Sequence, residues 1–154
     1  DLASADKILD TIKPIIDRRC GLKNRNGSYL PIFVKLAPDF GDNDLRYVLE
    51  ALVLVGVDGV ILTNTTVDRT GLCSKYNTES GGLSGAPLTK QSEHCLRVAS
   101  QYLEGRLPII SVGGIMSVEC CRKRLRLGAS LIQIYSGLIY RGPGLIKQAI
   151  KATR

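Results

Sequence analysis

The feature that most constrains this chain is a rhythm. Four short runs of apolar residues, Pro31–Leu36, Gly59–Leu62, Pro108–Val112 and Ala129–Ile134, are each followed by a segment with helical character. Those segments are Asp42–Val55, Leu88–Leu103, Ser117–Leu127 and Gly142 to the end. Strands that alternate with helices pair in parallel through right-handed crossovers. Such strands are covered on both faces and read as near-continuous branched runs. With 2 Phe and no Trp in a chain that is 44% hydrophobic, the core must be built from Ile, Leu and Val.

Ahead of the first strand, Ser4–Arg19 reads as a helix with Ile8, Leu9, Ile12, Ile15 and Ile16 on one stripe. Ser4 is placed as its N-cap, Pro14 should kink it, and Gly21–Tyr29 should form turns. Parallel strands admit an open doubly wound sheet or a closed barrel. An open sheet favours a Gly-x-Gly-x-x-Gly fingerprint after a strand, and none is present. Here polar and glycine-rich signals follow every strand in turn, as in a barrel whose loops open on one face. A full barrel has eight strands and about 250 residues. The fold expected is therefore α/β, the C-terminal half of a (β/α)8 barrel, with residues 1–154 forming part of a single domain whose N-terminal side is cut away.

The formal charge of +7 comes largely from Arg18-Arg19 with Lys23 and Arg25, and from Arg122-Lys123-Arg124 with Arg126. No aromatic residues interleave with these clusters and no nucleic-acid motif is present, so no nucleic-acid partner is expected. The second cluster reads as the solvated face of an outer helix. The 5 Cys lack a Cys-x-x-Cys pair, which suits a reducing compartment, and Cys73 reads as a spacer in a loop. No metal-ligand cluster and no membrane-spanning run occur. His94 lies on a helix away from any strand end and is not expected to be catalytic.

The chemistry is expected at the strand ends. Val112-Gly113-Gly114-Ile115 and Tyr135-Ser136-Gly137 follow the third and fourth strands, which would be the seventh and eighth of a full barrel. Loops there commonly bind phosphate, and paired glycines let backbone N–H groups approach an anion. Lys35 interrupts an apolar strand, where a buried ammonium calls for an anion or an electron-rich ring such as a flavin. Thr63-Asn64-Thr65-Thr66 offers consecutive hydrogen-bonding side chains suited to a polar heterocycle or carboxylate. Gly81-Gly82-Leu83-Ser84-Gly85 closes a loop, Thr63–Pro87, far longer than a usual connection and therefore a candidate lid. No nucleophile–base pair is visible.

These motifs, with Val34-Lys35-Leu36-Ala37-Pro38-Asp39, Thr63-Asn64-Thr65-Thr66-Val67-Asp68-Arg69 and Pro108-Ile109-Ile110-Ser111-Val112-Gly113-Gly114-Ile115, resemble dihydroorotate dehydrogenase in order and spacing. The Asn-Thr-Thr-Val-x-Arg and Gly-Gly-Leu-Ser-Gly segments are similar to the class 2, quinone-linked, membrane-associated branch. The resemblance implies FMN as cofactor, oxidation of dihydroorotate to orotate in pyrimidine synthesis, and quinone as acceptor. Carried over by position, Lys35, Thr63, Ser84, Gly85, Gly113, Gly114, Tyr135 and Ser136 would bind FMN, and Asn64 and Thr65 the substrate. The family often has Thr at the position of Ser136, which keeps the hydroxyl.

The family's serine base lies in an earlier loop with no counterpart here, so no catalytic residue is assigned and these residues alone are expected to be inactive. Quinone contact and membrane attachment, at the mitochondrial inner membrane in a eukaryote, would likewise use an N-terminal segment outside this sequence. A class 1 enzyme or another FMN barrel, and a non-catalytic basic binding module, are the alternative readings. Half a barrel would leave strand edges and an apolar inner face uncovered and should aggregate when isolated.

Overall fold

The computed structural model describes residues 2–27 and 29–153, without the side chains of residues 2–5 and 23–26. Strands β1 (Phe33–Leu36), β2 (Gly59–Leu62), β3 (Ile109–Ser111) and β4 (Leu131–Ile132) form one sheet. All neighbours are parallel and the order is β1-β2-β3-β4. A doubly wound sheet would reverse direction at a switch point. This one advances strand by strand, as barrel strands do. Helices α1 (Leu2–Asn26), α2 (Asp42–Val55), α3 (Thr89–Leu103), α4 (Val118–Arg126), α5 (Ser136–Arg141) and α6 (Gly144–Thr153) accompany it.

The period-2 alternation of the strands divides their side chains between two faces. Val34, Leu36, Val60, Leu62 and Ile109 point to the helices and are buried against Leu45, Leu49, Leu52, Leu96 and Leu103. On the other face, Lys35 stands in register with Ile61, and Ile61 with Ile110. That face is open: Phe33 is 36% exposed and Leu131 60%.

Several expectations need correction. The first helix does not end at Arg19, and the backbone is helical from Leu2 through Pro14 and Gly21 to Asn26. Ser4 is thus inside the helix; its side chain lies outside the described residues, as do those of Lys23 and Arg25. Leu22 extends the apolar stripe into a groove with Leu30 and Ile32, which favours helix over turns in 21–26. β2 spans Gly59–Leu62 as expected, whereas β1, β3 and β4 are shorter than their apolar runs. The closing helix from Gly142 onward is present as α6, but a short helix not expected from the sequence, α5, precedes it, and Gly142 (φ 68°) and Pro143 separate the two. Ser117 caps α4 from outside it, its Oγ accepting from the Cys120 N–H at 3.2 Å.

The basic cluster on α4 is not a solvated face throughout. Arg124 is fully buried, Lys123 pairs with Glu93, and Arg122 and Arg126 pair with Glu119. Helical periodicity puts Arg124 on the inward side with Cys121, which the run of charges conceals.

At the end of the sheet away from the strand C-termini, Asp58 ties α1 to the strands. It accepts from Tyr29 Oη, from the Arg19 guanidinium and from the Ile32 N–H at 2.7 Å. Burial works against its ionisation, but those donors outweigh burial and hold the carboxyl below its usual range. A depressed carboxylate contributes stability above its unfolded pKa, and that contribution is lost as pH falls through the folded value. Asp58→Asn should therefore lower stability near neutral pH and flatten its loss below about pH 4. Urea unfolding of the full-length protein across pH checks this; parallel curves for both proteins would refute it.

Candidate functional site

The polar residues at the strand ends meet in one cleft of about 320 Å³. It is lined by Lys35 of β1, by Thr63, Asn64 and Thr65 after β2, and by Val112, Gly113, Gly114 and Ile115 after β3. Gln133, Tyr135 and Ser136 complete it after β4, with Gly82, Ser84 and Leu88 from the long loop and its 3-10 turn. Nine of the ten residues singled out from the sequence are here. The tenth, Gly85, lies beside it: a Cβ there would be 3.6 Å from Ser136 Cβ. His94 is elsewhere, paired with Asp42 at 2.7 Å. Cys73 is exposed on the long loop.

Backbone pairing continues beyond β2 and holds this edge. Asn64 N–H donates to Leu36 O at 2.7 Å and Thr63 N–H to Val112 O at 2.8 Å. Thr63 is thereby buried to 2% exposure, and its Oγ1 has no hydrogen-bond partner. A buried hydroxyl left unmet is costly, and here it belongs to a cleft-lining residue where a ligand atom can satisfy it. Lys35 is exposed on the open face, with no acidic partner among the described residues.

The glycine pair forms a cradle. Gly113 and Gly114 have φ of 109° and 66°, and a Cβ on Gly114 would come within 2.5 Å of the Thr89 backbone. The Gly113 carbonyl accepts from Arg124 at 2.9 Å and Ser92 Oγ at 2.8 Å; the Gly114 carbonyl accepts from Thr89 Oγ1 at 2.8 Å. A trans peptide sets its N–H opposite its C=O. Holding both carbonyls on α3 and α4 therefore turns the N–H groups of Gly114 and Ile115 away from those helices, on the side of the cleft. Successive amides arranged so make an anion-binding concavity. Opposite, Ser84 Oγ and Ser136 Oγ are 2.8 Å apart, joining the long loop to the end of β4. Two hydroxyls and two amides together suit a phosphate.

The long loop is folded back on the site. Thr66 and Leu83 pair antiparallel, Thr66 Oγ1 donates to the Asp39 carboxylate, and Arg69 donates to the carbonyls of Thr66, Glu79 and Gly81. Residues 73–80 are exposed at its tip.

Sequence reasoning missed Gln133 and Arg124. Gln133 has the same signal as Lys35, a polar residue inside an apolar run, Leu131-Ile132-Gln133-Ile134. Among the described residues no cluster suited to a metal ion occurs, and no helix is long and apolar enough to cross a membrane.

The family model described as dihydroorotate dehydrogenase matches residues 7–153. The chain is 49% identical to a dihydroorotate dehydrogenase (quinone) of Yersinia enterocolitica, over 92% of this chain and 42% of that protein. It is 42% identical to that of Acinetobacter baumannii, over 98% of this chain and 46% of that protein. In structure it is similar to DHODH of Eimeria tenella in complex with ferulenol, with a TM-score of 0.84 and 32% identity, over 94% of this chain and 43% of that one. The chain thus spans less than half the length of these relatives.

Arg69→Ala should release the long loop. Amide hydrogen exchange across residues 66–83 should rise about tenfold or more, while α3 keeps its protection, because three carbonyl contacts share this one guanidinium. Unchanged exchange in the loop would refute the strap.

Proposed function

This chain belongs to the dihydroorotate dehydrogenase family, and from that premise we propose that it forms the C-terminal part of one FMN-binding βα-barrel domain in a quinone-linked enzyme of pyrimidine synthesis. The observation that supports this reading is the convergence of strand-end residues on a single cleft with an unmet buried hydroxyl, a glycine cradle and a free lysine. The donor set fits a flavin mononucleotide, which combines a dianionic phosphate with a polar ring.

In this reading the N–H groups of Gly114 and Ile115 and the hydroxyls of Ser84 and Ser136 hold the phosphate, with Gly85 leaving room beside Ser136 and Gly113 letting the loop pack against Leu88 and Ser92. Tyr135 lines the same part of the cleft. Thr63 Oγ1 donates to the cofactor, and Lys35 stabilises negative charge on the ring. When bound, FMN supplies hydride acceptance from dihydroorotate and electron delivery to quinone. Asn64 and Thr65 bind the substrate: Asn64 Oδ1 is occupied by the Thr65 N–H at 3.0 Å, which orients its amide and leaves its Nδ2 as a donor. No carboxylate, histidine or cysteine lines the cleft. By the resemblance, the base that removes the proton from dihydroorotate is a serine of an earlier loop, outside residues 1–154. Quinone contact and membrane association, at the mitochondrial inner membrane in a eukaryote, are assigned there too. The basic-module alternative loses its main support, because the α4 cations are engaged within the chain.

The full-length protein should purify with a flavin absorption band. Ser136→Ala should weaken FMN affinity about tenfold, and Asn64→Ala should raise the KM for dihydroorotate about tenfold with FMN content unchanged. A correctly folded full-length protein that takes up no FMN on reconstitution would overturn the proposal.

A further inference from the structure

Arg124 lies outside the cleft and is the least expected charge in the molecule. Its side chain is 0% exposed, on the inward face of α4. Nη2 donates to the Gly113 carbonyl at 2.9 Å, to Ser92 Oγ at 2.7 Å and to the Thr89 carbonyl at 3.2 Å; Nη1 donates to Ser111 Oγ at 3.2 Å. Nε is 3.7 Å from Glu93 Oε1. One guanidinium therefore touches the end of β3, the first turn of α3 and the first cradle glycine.

A buried ion of this kind is a poor device for stability alone. Desolvation consumes most of the pairing energy, and a well-packed apolar side chain of like volume serves as well or better. An apolar side chain cannot set the direction of a carbonyl. Arginine can, because its planar fork presents several donors at fixed angles. The carbonyl in question belongs to the peptide whose opposite end is the Gly114 N–H.

We propose that Arg124 is a positioning residue for phosphate recognition: it holds the Gly113 carbonyl against α3 and so keeps the Gly114 N–H turned to the phosphate. The inference rests on the FMN reading of the cleft. Ser92 works with it, receiving one Arg124 donor while standing 2.8 Å from the same carbonyl. Thr89 does for the Gly114 carbonyl what Arg124 does for that of Gly113.

The test separates phosphate recognition from general integrity by comparing FMN with riboflavin, which has the same ring and no phosphate. Dissociation constants of both are measured by quenching of flavin fluorescence on full-length apoprotein, for the wild type, Arg124→Met and Arg124→Lys, with melting temperatures recorded alongside. The wild type should prefer FMN strongly. Arg124→Met should raise the FMN constant about tenfold or more and the riboflavin constant less than about threefold, since a lost charged hydrogen bond is worth a factor of that order. Arg124→Lys, which keeps the charge and loses the fork, should fall between them. Should Arg124→Met fail to fold, the lysine variant carries the test by the same ratio. A folded variant whose FMN and riboflavin constants rise together, or whose ratio equals that of the wild type, overturns the inference and leaves the FMN reading standing. A wild type with no preference for FMN overturns the phosphate reading, and the inference with it.

Discussion

Backbone hydrogen bonds that run past the ends of the strands set this site. Asn64 N–H reaches Leu36, Thr63 N–H reaches Val112, and Val112 N–H reaches Leu62. Parallel ladders place bonds at even spacing, so four strands in sequential order end along one edge. Continuing the ladder over that edge fixes the first loop residues as firmly as the strands. This is why Thr63 can be held buried with its hydroxyl unmet, and why Lys35, Asn64, Gly113 and Ser136, 101 positions apart from first to last in the sequence, share one cleft. Helix packing behind the sheet supplies the energy for this arrangement. Leu49, Leu52, Leu62, Leu96 and Leu103 are each fully buried, at about 1.5–3 kcal/mol apiece.

What could be read from the sequence follows from which signals are local. The rhythm of apolar runs and helical segments is local, and it yields the four strands, their parallel pairing and the edge where the chemistry lies. A polar residue in an apolar run is equally local, and Lys35 is found that way. Gln133 carries the same signal at lower contrast, because an amide breaks an apolar pattern less visibly than an ammonium. The length of α1 was not legible, because proline and glycine weigh against helix locally while Leu22 and the Arg19–Asp58 contact favour it through the tertiary fold.

Arg124 shows the limit from the other side. In the run Arg122-Lys123-Arg124-Leu125-Arg126, charge density points to a solvated surface, whereas helical phase sends one member inward. Phase alone could not justify burying a cation, since the partners that make it tolerable lie on β3, on α3 and after β3. Ser92, Ser111 and Glu93 are themselves buried polar residues with no local signature. The network is meaningful only as a whole: each serine satisfies a guanidinium donor, and the guanidinium gives each serine a reason to be buried.

The two faces of the sheet differ in what they still require. The helix-facing side is closed, its aliphatic side chains buried against the helices. The other side leaves Phe33 and Leu131 exposed, with Ile61 and Ile110 only half-buried between them. In the same layer stands Lys35, so the open face is both an uncovered apolar surface and the floor beside the cleft. Four further strands, in the manner of an eight-stranded barrel, would bury those aliphatic side chains and at the same time wall the cleft and desolvate Lys35. Desolvation strengthens the attraction of that ammonium for an anionic ring in proportion to the drop in local dielectric. Under the proposed FMN reading, closure of the barrel and tuning of the site would thus be one event, in which the apolar residues provide the driving force and the lysine receives its role.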